Sequence, residues 1–206
     1  MAPGRLITLE GIDGAGKTTL ATGLRDALTA RGHDVHLLRE PGGVRAAERI
    51  RELVKDPDSR IGPRAEALLY AAARAQLVDE ALRPLLARGT LVLLDRFVDS
   101  SLAYQGAGRG LGIDAVREIN AFATGGLTPD RTLLLRLPPE QGRARSRGRL
   151  TQPDRLEREA DEFFARVAAA YDELAAAEPT RIAVIDASRE RKQVLADALA
   201  AIADLV

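Results

Sequence analysis

Short runs of Leu, Val and Ile alternate along the chain with longer stretches whose apolar positions recur every three or four residues. The runs predict strands at 6–10, 34–39, 91–95, 131–137 and 181–186, each short and rich in Leu, Val and Ile, as expected where both sheet faces are covered. The stretches predict helices at 16–31, 44–55, 63–88, 113–125, 139–148, 156–177 and 190–204. In the late helix, Phe163, Val167, Ala170, Tyr171 and Leu174 share one face, and Val194, Leu195, Ala198, Leu199 and Ile202 repeat that spacing in the last. Both stripes read as core. Strand and helix alternating in this way predict an α/β fold: a five-stranded parallel sheet with helices on both faces, in three layers, α/β/α. No repeat, linker or low-complexity stretch intervenes, so one domain spanning 1–206 is expected.

Composition narrows the picture. Aromatic residues are only 3% of 206, so the core must be built from Leu, Ala, Val and Ile. There is no cysteine, which excludes disulfides and Cys-based zinc sites and suits a reducing cytoplasmic setting. No apolar run approaches the ~18 residues of a membrane span. Met1–Arg5 leads directly into a strand, so no signal peptide and no membrane partner are expected. A formal net charge of zero argues against a general nucleic-acid binder.

The first strand runs into Gly11-Ile12-Asp13-Gly14-Ala15-Gly16-Lys17-Thr18, followed by Thr19. This is G-x-x-x-x-G-K-[ST] in its required setting, a strand entering a glycine-rich turn that opens a helix, and it predicts a P-loop NTPase fold. Its backbone N–H groups and the positive end of the helix suit a phosphate. Lys17 would reach the β/γ-phosphates, and the Thr18 hydroxyl would take a place on Mg²⁺. Lys occurs elsewhere only at 55 and 192, so Lys17 stands out in a chain whose cations are mostly Arg.

Leu91-Val92-Leu93-Leu94-Asp95-Arg96 describes a buried strand delivering a carboxylate to its C-terminal edge, where open α/β sheets bind ligands. Asp95 suits the Mg²⁺ shell, and Arg96, which can only donate, suits a phosphate oxygen. A plain structural Asp–Arg pair is the alternative.

Three further segments complete a pattern: Arg39-Glu40-Pro41-Gly42-Gly43, Ala72-Ala73-Arg74-Ala75-Gln76, and Ser100-Ser101-Leu102-Ala103-Tyr104-Gln105-Gly106-Ala107-Gly108-Arg109-Gly110. With the P-loop and the late Asp154-Arg155-Leu156-Glu157, they resemble thymidylate kinase of the bacterial type, a P-loop nucleoside monophosphate kinase. The resemblance runs from about residue 6 to 186, with the motifs in family order. It implies transfer of the ATP γ-phosphoryl group to dTMP, giving dTDP and ADP, with Mg²⁺, in dTTP synthesis, by a cytoplasmic homodimer.

By position, the resemblance places the Gly11–Thr19 loop on ATP and Asp13 near the transferred group and the acceptor sugar-phosphate. Arg96 and Arg51 would hold the acceptor phosphate, beside Glu40 and Pro41. Tyr70 would stack on thymine while Arg74, one turn along the same helix face, donates to its exocyclic oxygen; a core aromatic is the alternative for Tyr70. Ser100 and Ser101 would read the base edge, and Tyr104 would pack under the sugar. Gln105–Gly110 would be a mobile loop closing over the acceptor. Arg143, Arg145, Arg147 and Arg149 fall in the family's lid, about 142–155. Some members carry a catalytic arginine where this chain has Gly14, so Arg149 or Arg147 would supply that charge in cis, with Arg143 beside the adenine. A solvated basic face is the alternative for this run.

Two departures are small: Val44 and Phe97 replace residues that usually carry a polar atom. His33 and His36 have no ligand set around them and read as structural. An adenylate or shikimate kinase would share the P-loop and lid but not Arg39–Gly43, Arg74 and Ser100–Gly110 together. A GTPase switch would need an N-K-x-D-type reader, and a partitioning ATPase an early second lysine where Ile12 and Asp13 stand.

Overall fold

The computed structural model describes residues 4–147 and 154–206, with the side chains of 146 and 147 outside the description. Five strands, β1 (Arg5–Glu10), β2 (Val35–Arg39), β3 (Leu91–Asp95), β4 (Arg131–Arg136) and β5 (Ile182–Asp186), form one parallel sheet in the order β2-β3-β1-β4-β5. This is the expected sheet. The inner strands β3, β1 and β4 are buried almost throughout, whereas β2 and β5 are only partly covered, as befits edges.

Side-chain alternation divides the strands between two cores. Ile7, Leu9, Leu91 and Leu93 pack with α1 (Lys17–Thr29), α8 (Asp161–Ala177) and α9 (Arg191–Ala201), whose stripes face inward as the spacing predicts. Leu6, Val92 and Leu94 face the other way, onto Leu77, Val78, Leu82 and Phe97. There lie α3 (Pro63–Leu77), a π-helical turn Val78–Leu82 and α4 (Arg83–Ala87). These three elements replace the single helix expected over 63–88. Pro84 lacks the N–H that would bond one turn back, and the helix widens just before it.

Two other expectations change. Residues 105–110 are not an open loop: α5 (Val98–Ser101) continues as a π-helix, Leu102–Gly108, that is almost wholly buried. Its glycines serve packing, since a Cβ on Gly108 would stand 2.7 Å from the Phe163 ring. The helix expected from 156 starts at Asp161. Before it, the Asp154 carboxylate accepts from the backbone N–H of Leu156 and Glu157 at 3.0 Å each, closing a turn. The other helices, α2 (Arg45–Lys55), α6 (Ile113–Thr124) and α7 (Pro139–Arg147), lie where periodicity puts them.

Register aligns the site. Leu9 and Arg39 both pair with Asp95, so the glycine loop after β1, the Asp-Arg pair after β3 and the Pro-Gly-Gly turn after β2 emerge side by side at one sheet edge.

Candidate functional site

At that edge lies a cavity of about 360 Å³, lined by the glycine loop on one side and by α3, the β2 turn and the α5 region on the other. Lys17, Thr18, Thr19, Asp13, Gly14 and Gly16 line it, as do Glu40, Pro41, Arg51, Tyr70, Arg74, Asp95, Arg96, Ser100, Ser101, Tyr104 and Gln105. Ile12 and Ala15 turn into the core, so only their backbone can serve the cavity.

The Lys17 ammonium curls back to donate to the carbonyls of Gly11 and Ile12, both at 2.9 Å. Burial, with Arg96 nearby, pulls its pKa down to about 8. Exposed Thr18 donates its hydroxyl to Asp95 Oδ2 at 2.9 Å. These two hard oxygens are a donor pair that suits a magnesium ion sharing phosphate oxygens and water, whose shell rarely comes from protein alone. The described residues hold no cluster of three or more His, Cys, Asp or Glu side chains that could bind a metal by themselves.

Opposite them, Arg96 adopts a left-handed backbone, φ 73°. Its guanidinium donates to Asp13 Oδ1 at 2.6 Å, to Ser100 Oγ at 3.0 Å and to the Gly11 carbonyl at 3.1 Å, and lies over the Tyr104 ring. Burial would raise the Asp13 carboxyl, but Arg96 and Lys17 outweigh it and hold it at about 2. The Tyr104 hydroxyl also donates to Asp13, at 3.3 Å. Arg51 reaches across to the Pro41 carbonyl, 2.8 Å.

Glu10 was not foreseen. Wholly buried, it accepts from the N–H groups of Phe97 and Ser100 at 2.7 and 3.2 Å, from Ser100 Oγ at 2.5 Å and from the Tyr171 hydroxyl at 2.8 Å. It thereby clamps the strained segment that presents Arg96. Burial, with Asp99 nearby, pushes its carboxyl above the usual range. The signal was present in the sequence: a carboxylate ends an apolar strand here, just as Asp95 does.

Arg74 lines the cavity but is 1% exposed, and four of its five N–H groups are hydrogen-bonded, to Glu40 Oε2 (2.8 Å from Nε), Ser101 Oγ (2.9 Å), the Phe97 carbonyl (2.8 Å) and Asn120 Oδ1. A terminal nitrogen also stands 2.6 Å from Glu40 Oε2 in an ion pair. The Ser100 hydroxyl donates to Glu10, and the Ser101 hydroxyl oxygen accepts from Arg74, so both serines order the cavity wall. Glu40 Oε1 is buried without a hydrogen-bond partner among the described residues, and burial pushes this carboxyl up to about 7 against the pull of Arg74.

Of the lid, α7 packs against the glycine loop: a Cβ on Gly14 (φ +82°) would stand 2.1 Å from the Gly142 carbonyl oxygen. No side chain fits there while α7 is so placed. Arg143, expected beside the adenine, pairs with Asp161, stacks on Phe164 and lies outside the cavity lining. Arg149 and the Arg147 side chain lie outside the described residues. Beyond the lid, Lys55 holds Asp154 at 2.7 Å, which brings Leu156 and Glu157 into the cavity wall.

The thymidylate kinase family model matches residues 9–198. A thymidylate kinase of Deinococcus radiodurans is 52% identical over 204 residues, covering 99% of this chain and 98% of the relative. One of Lactobacillus delbrueckii subsp. bulgaricus is 50% identical over 196 residues (94% and 92%). One of Leifsonia xyli is 52% identical over 195 residues (95% and 92%).

Proposed function

The chain belongs to the thymidylate kinase family, and from that membership we propose how its cleft moves the γ-phosphoryl group of ATP to the phosphate of dTMP. The observation that carries the reading is one cavity whose two walls suit two anions. Lys17, Thr18 and Asp95 stand on one wall, and Arg96, Arg51 and Tyr70 on the other.

ATP lies along Gly11–Thr19, its phosphates on the loop N–H groups and the N-terminus of α1. Lys17 exchanges two neutral carbonyl acceptors for charged phosphate oxygens, a stronger partnership. Thr18 and Asp95 would hold Mg²⁺, which when bound neutralises charge on the transferring group. On the acceptor side Arg96 and Arg51 hold the dTMP phosphate in line. That phosphate already carries an anionic oxygen at neutral pH, so no general base is needed. Asp13, ionised, instead orients Arg96 and excludes water at the transfer point. Tyr70 covers the base, Glu40 with Arg74 and Ser101 shapes its edge, and Tyr104 lies under the sugar, disfavouring a 2′-hydroxyl. Gly14 contributes no cation, and α7 sits against it; Arg149 or Arg147 would supply that charge to the γ-phosphate as a finger in cis.

The molecule works as one domain, 1–206, with its lid at about 142–155, in the cytoplasm. Exposed Leu53, Leu68 and Phe122 on the adjoining α2, α3 and α6 support a homodimer. Among the described residues no helix is long and apolar enough to cross a membrane. The test is ADP release from ATP and Mg²⁺ with and without dTMP. Release should require dTMP, and Lys17→Ala should lower it by several orders of magnitude. ATP turnover indifferent to dTMP would overturn the reading.

A further inference from the structure

Glu66, Tyr70 and Arg74 succeed one another at one-turn intervals on the face of α3 that meets the cavity region. Tyr70 and Arg74 line the cavity; Glu66, wholly buried, stands one turn behind. Its Oε1 accepts from Gln105 Nε2 at 2.8 Å and Arg109 Nε at 3.2 Å. Its Oε2 accepts from an Arg109 terminal nitrogen at 3.0 Å and from Arg155. Four donors on two oxygens saturate an ionised carboxylate. Burial alone would raise its pKa, but the bonds from Arg109, Gln105 and Arg155 overcome that and hold it below the usual range.

An ionised carboxylate can only accept, so the group that Gln105 turns to it must be the NH₂. The Gln105 carbonyl oxygen is thereby turned away from Glu66, and Gln105 lines the cavity. An amide oxygen held in that orientation can only accept, so it suits a ligand donor and disfavours a ligand acceptor.

We propose that Glu66 is a positioning residue for specificity: it locks the Gln105 amide so that its carbonyl meets the acceptor base, selecting a pyrimidine that donates at ring N3 over one that accepts there. Thymine and uracil carry the N–H; cytosine presents a lone pair. The inference rests on the reading of this cavity as the nucleoside monophosphate site, and it adds which edge the site takes. The selection needs a charged partner behind Gln105. A neutral amide at 66 can donate or accept, and would let Gln105 turn over.

The test compares kcat/KM for dTMP and for 5-methyl-dCMP, which has the shape of dTMP with the hydrogen-bonding edge reversed. The wild type should favour dTMP strongly. In Glu66→Gln the ratio should fall at least about tenfold, with an absolute gain on 5-methyl-dCMP that a merely loosened fold would not produce. A folded Glu66→Gln with an unchanged ratio overturns the proposal. Should that variant not fold, the wild type labelled with ¹⁵N-glutamine serves. The Gln105 side-chain amide protons, identified by their loss in Gln105→Met, should keep their shifts when dTMP saturates the enzyme. A large shift would mean that NH₂ faces the base, and would equally overturn it. A wild type that does not phosphorylate dTMP overturns the reading of the cavity itself, an outcome distinct from an unchanged ratio.

Discussion

Asp13 and Arg96, 83 residues apart, meet at 2.6 Å across the mouth of the cavity, and Arg96 does so from a left-handed backbone. The strain is local to a residue whose side chain is required, which separates backbone from chemistry. Arg96→Gly and Arg96→Ala should both lose at least about a thousandfold in kcat/KM for dTMP. Glycine accepts a positive φ freely, so Arg96→Gly should be more stable than Arg96→Ala by about 1 kcal/mol. Denaturant midpoints decide; equal stabilities would mean that the segment relaxes once Glu10 loses its load.

Lys17 sets a pH dependence. Its folded pKa of about 8 lies below the ordinary 10.5, so its charge is lost from the free enzyme as pH rises through 8. kcat/KM for ATP should fall on that limb, while kcat, measured with phosphate already on the amine, should hold to higher pH. The sign for stability is opposite. A depressed lysine costs the fold most below pH 8, and that cost fades between 8 and 10.5. Lys17→Met should therefore be inactive yet more stable at pH 7, by on the order of 2 kcal/mol, and less so at pH 10. An activity profile flat through pH 9.5 would contradict this.

Arg74 and Glu40 form a pair in which neither side chain is more than 4% exposed. Arg74→Ala strands a buried carboxylate and should cost about 3–5 kcal/mol. Adding Glu40→Gln should return much of that stability without restoring the KM for dTMP. Thermal unfolding and steady-state kinetics on the three variants separate the two roles; an effect of equal size on the KM of ATP would make Arg74 a structural residue only.

The lid arginines are tested together. Arg149→Ala, or Arg147→Ala, should lower kcat by at least ~10²-fold with little change in ATP affinity, because the lid reaches the phosphoryl group in the closed complex. Lysine should rescue poorly, lacking the planar fork. A double mutant within a few-fold of wild type would make them a solvated face.

What could be foreseen from the chain is what is local. Lys17, Thr18 and Asp95 belong to contiguous motifs, and the five strands to contiguous apolar runs, so the sheet and the meeting of these three side chains at its edge were legible. Glu66 and Asn120 act through partners far off in sequence: Glu66 through Gln105, Arg109 and Arg155, Asn120 through Arg74. No spacing announces such pairings. Gly106 and Gly108 misled for a related reason. Glycine signals both turns and close packing, and only the nearness of Ile113 and Phe163 decides for packing. The same ambiguity hid the turn at 154–157, where Asp154 caps backbone groups that helical periodicity had assigned to α8.

The most direct measurement is ADP release in the presence of ATP and Mg²⁺ across a panel of nucleoside monophosphates. dTMP should be turned over best, dUMP more slowly, and ribonucleotides least, if Tyr104 lies under the sugar as proposed. Equal or faster turnover of AMP, CMP or GMP would contradict the assignment of the acceptor wall.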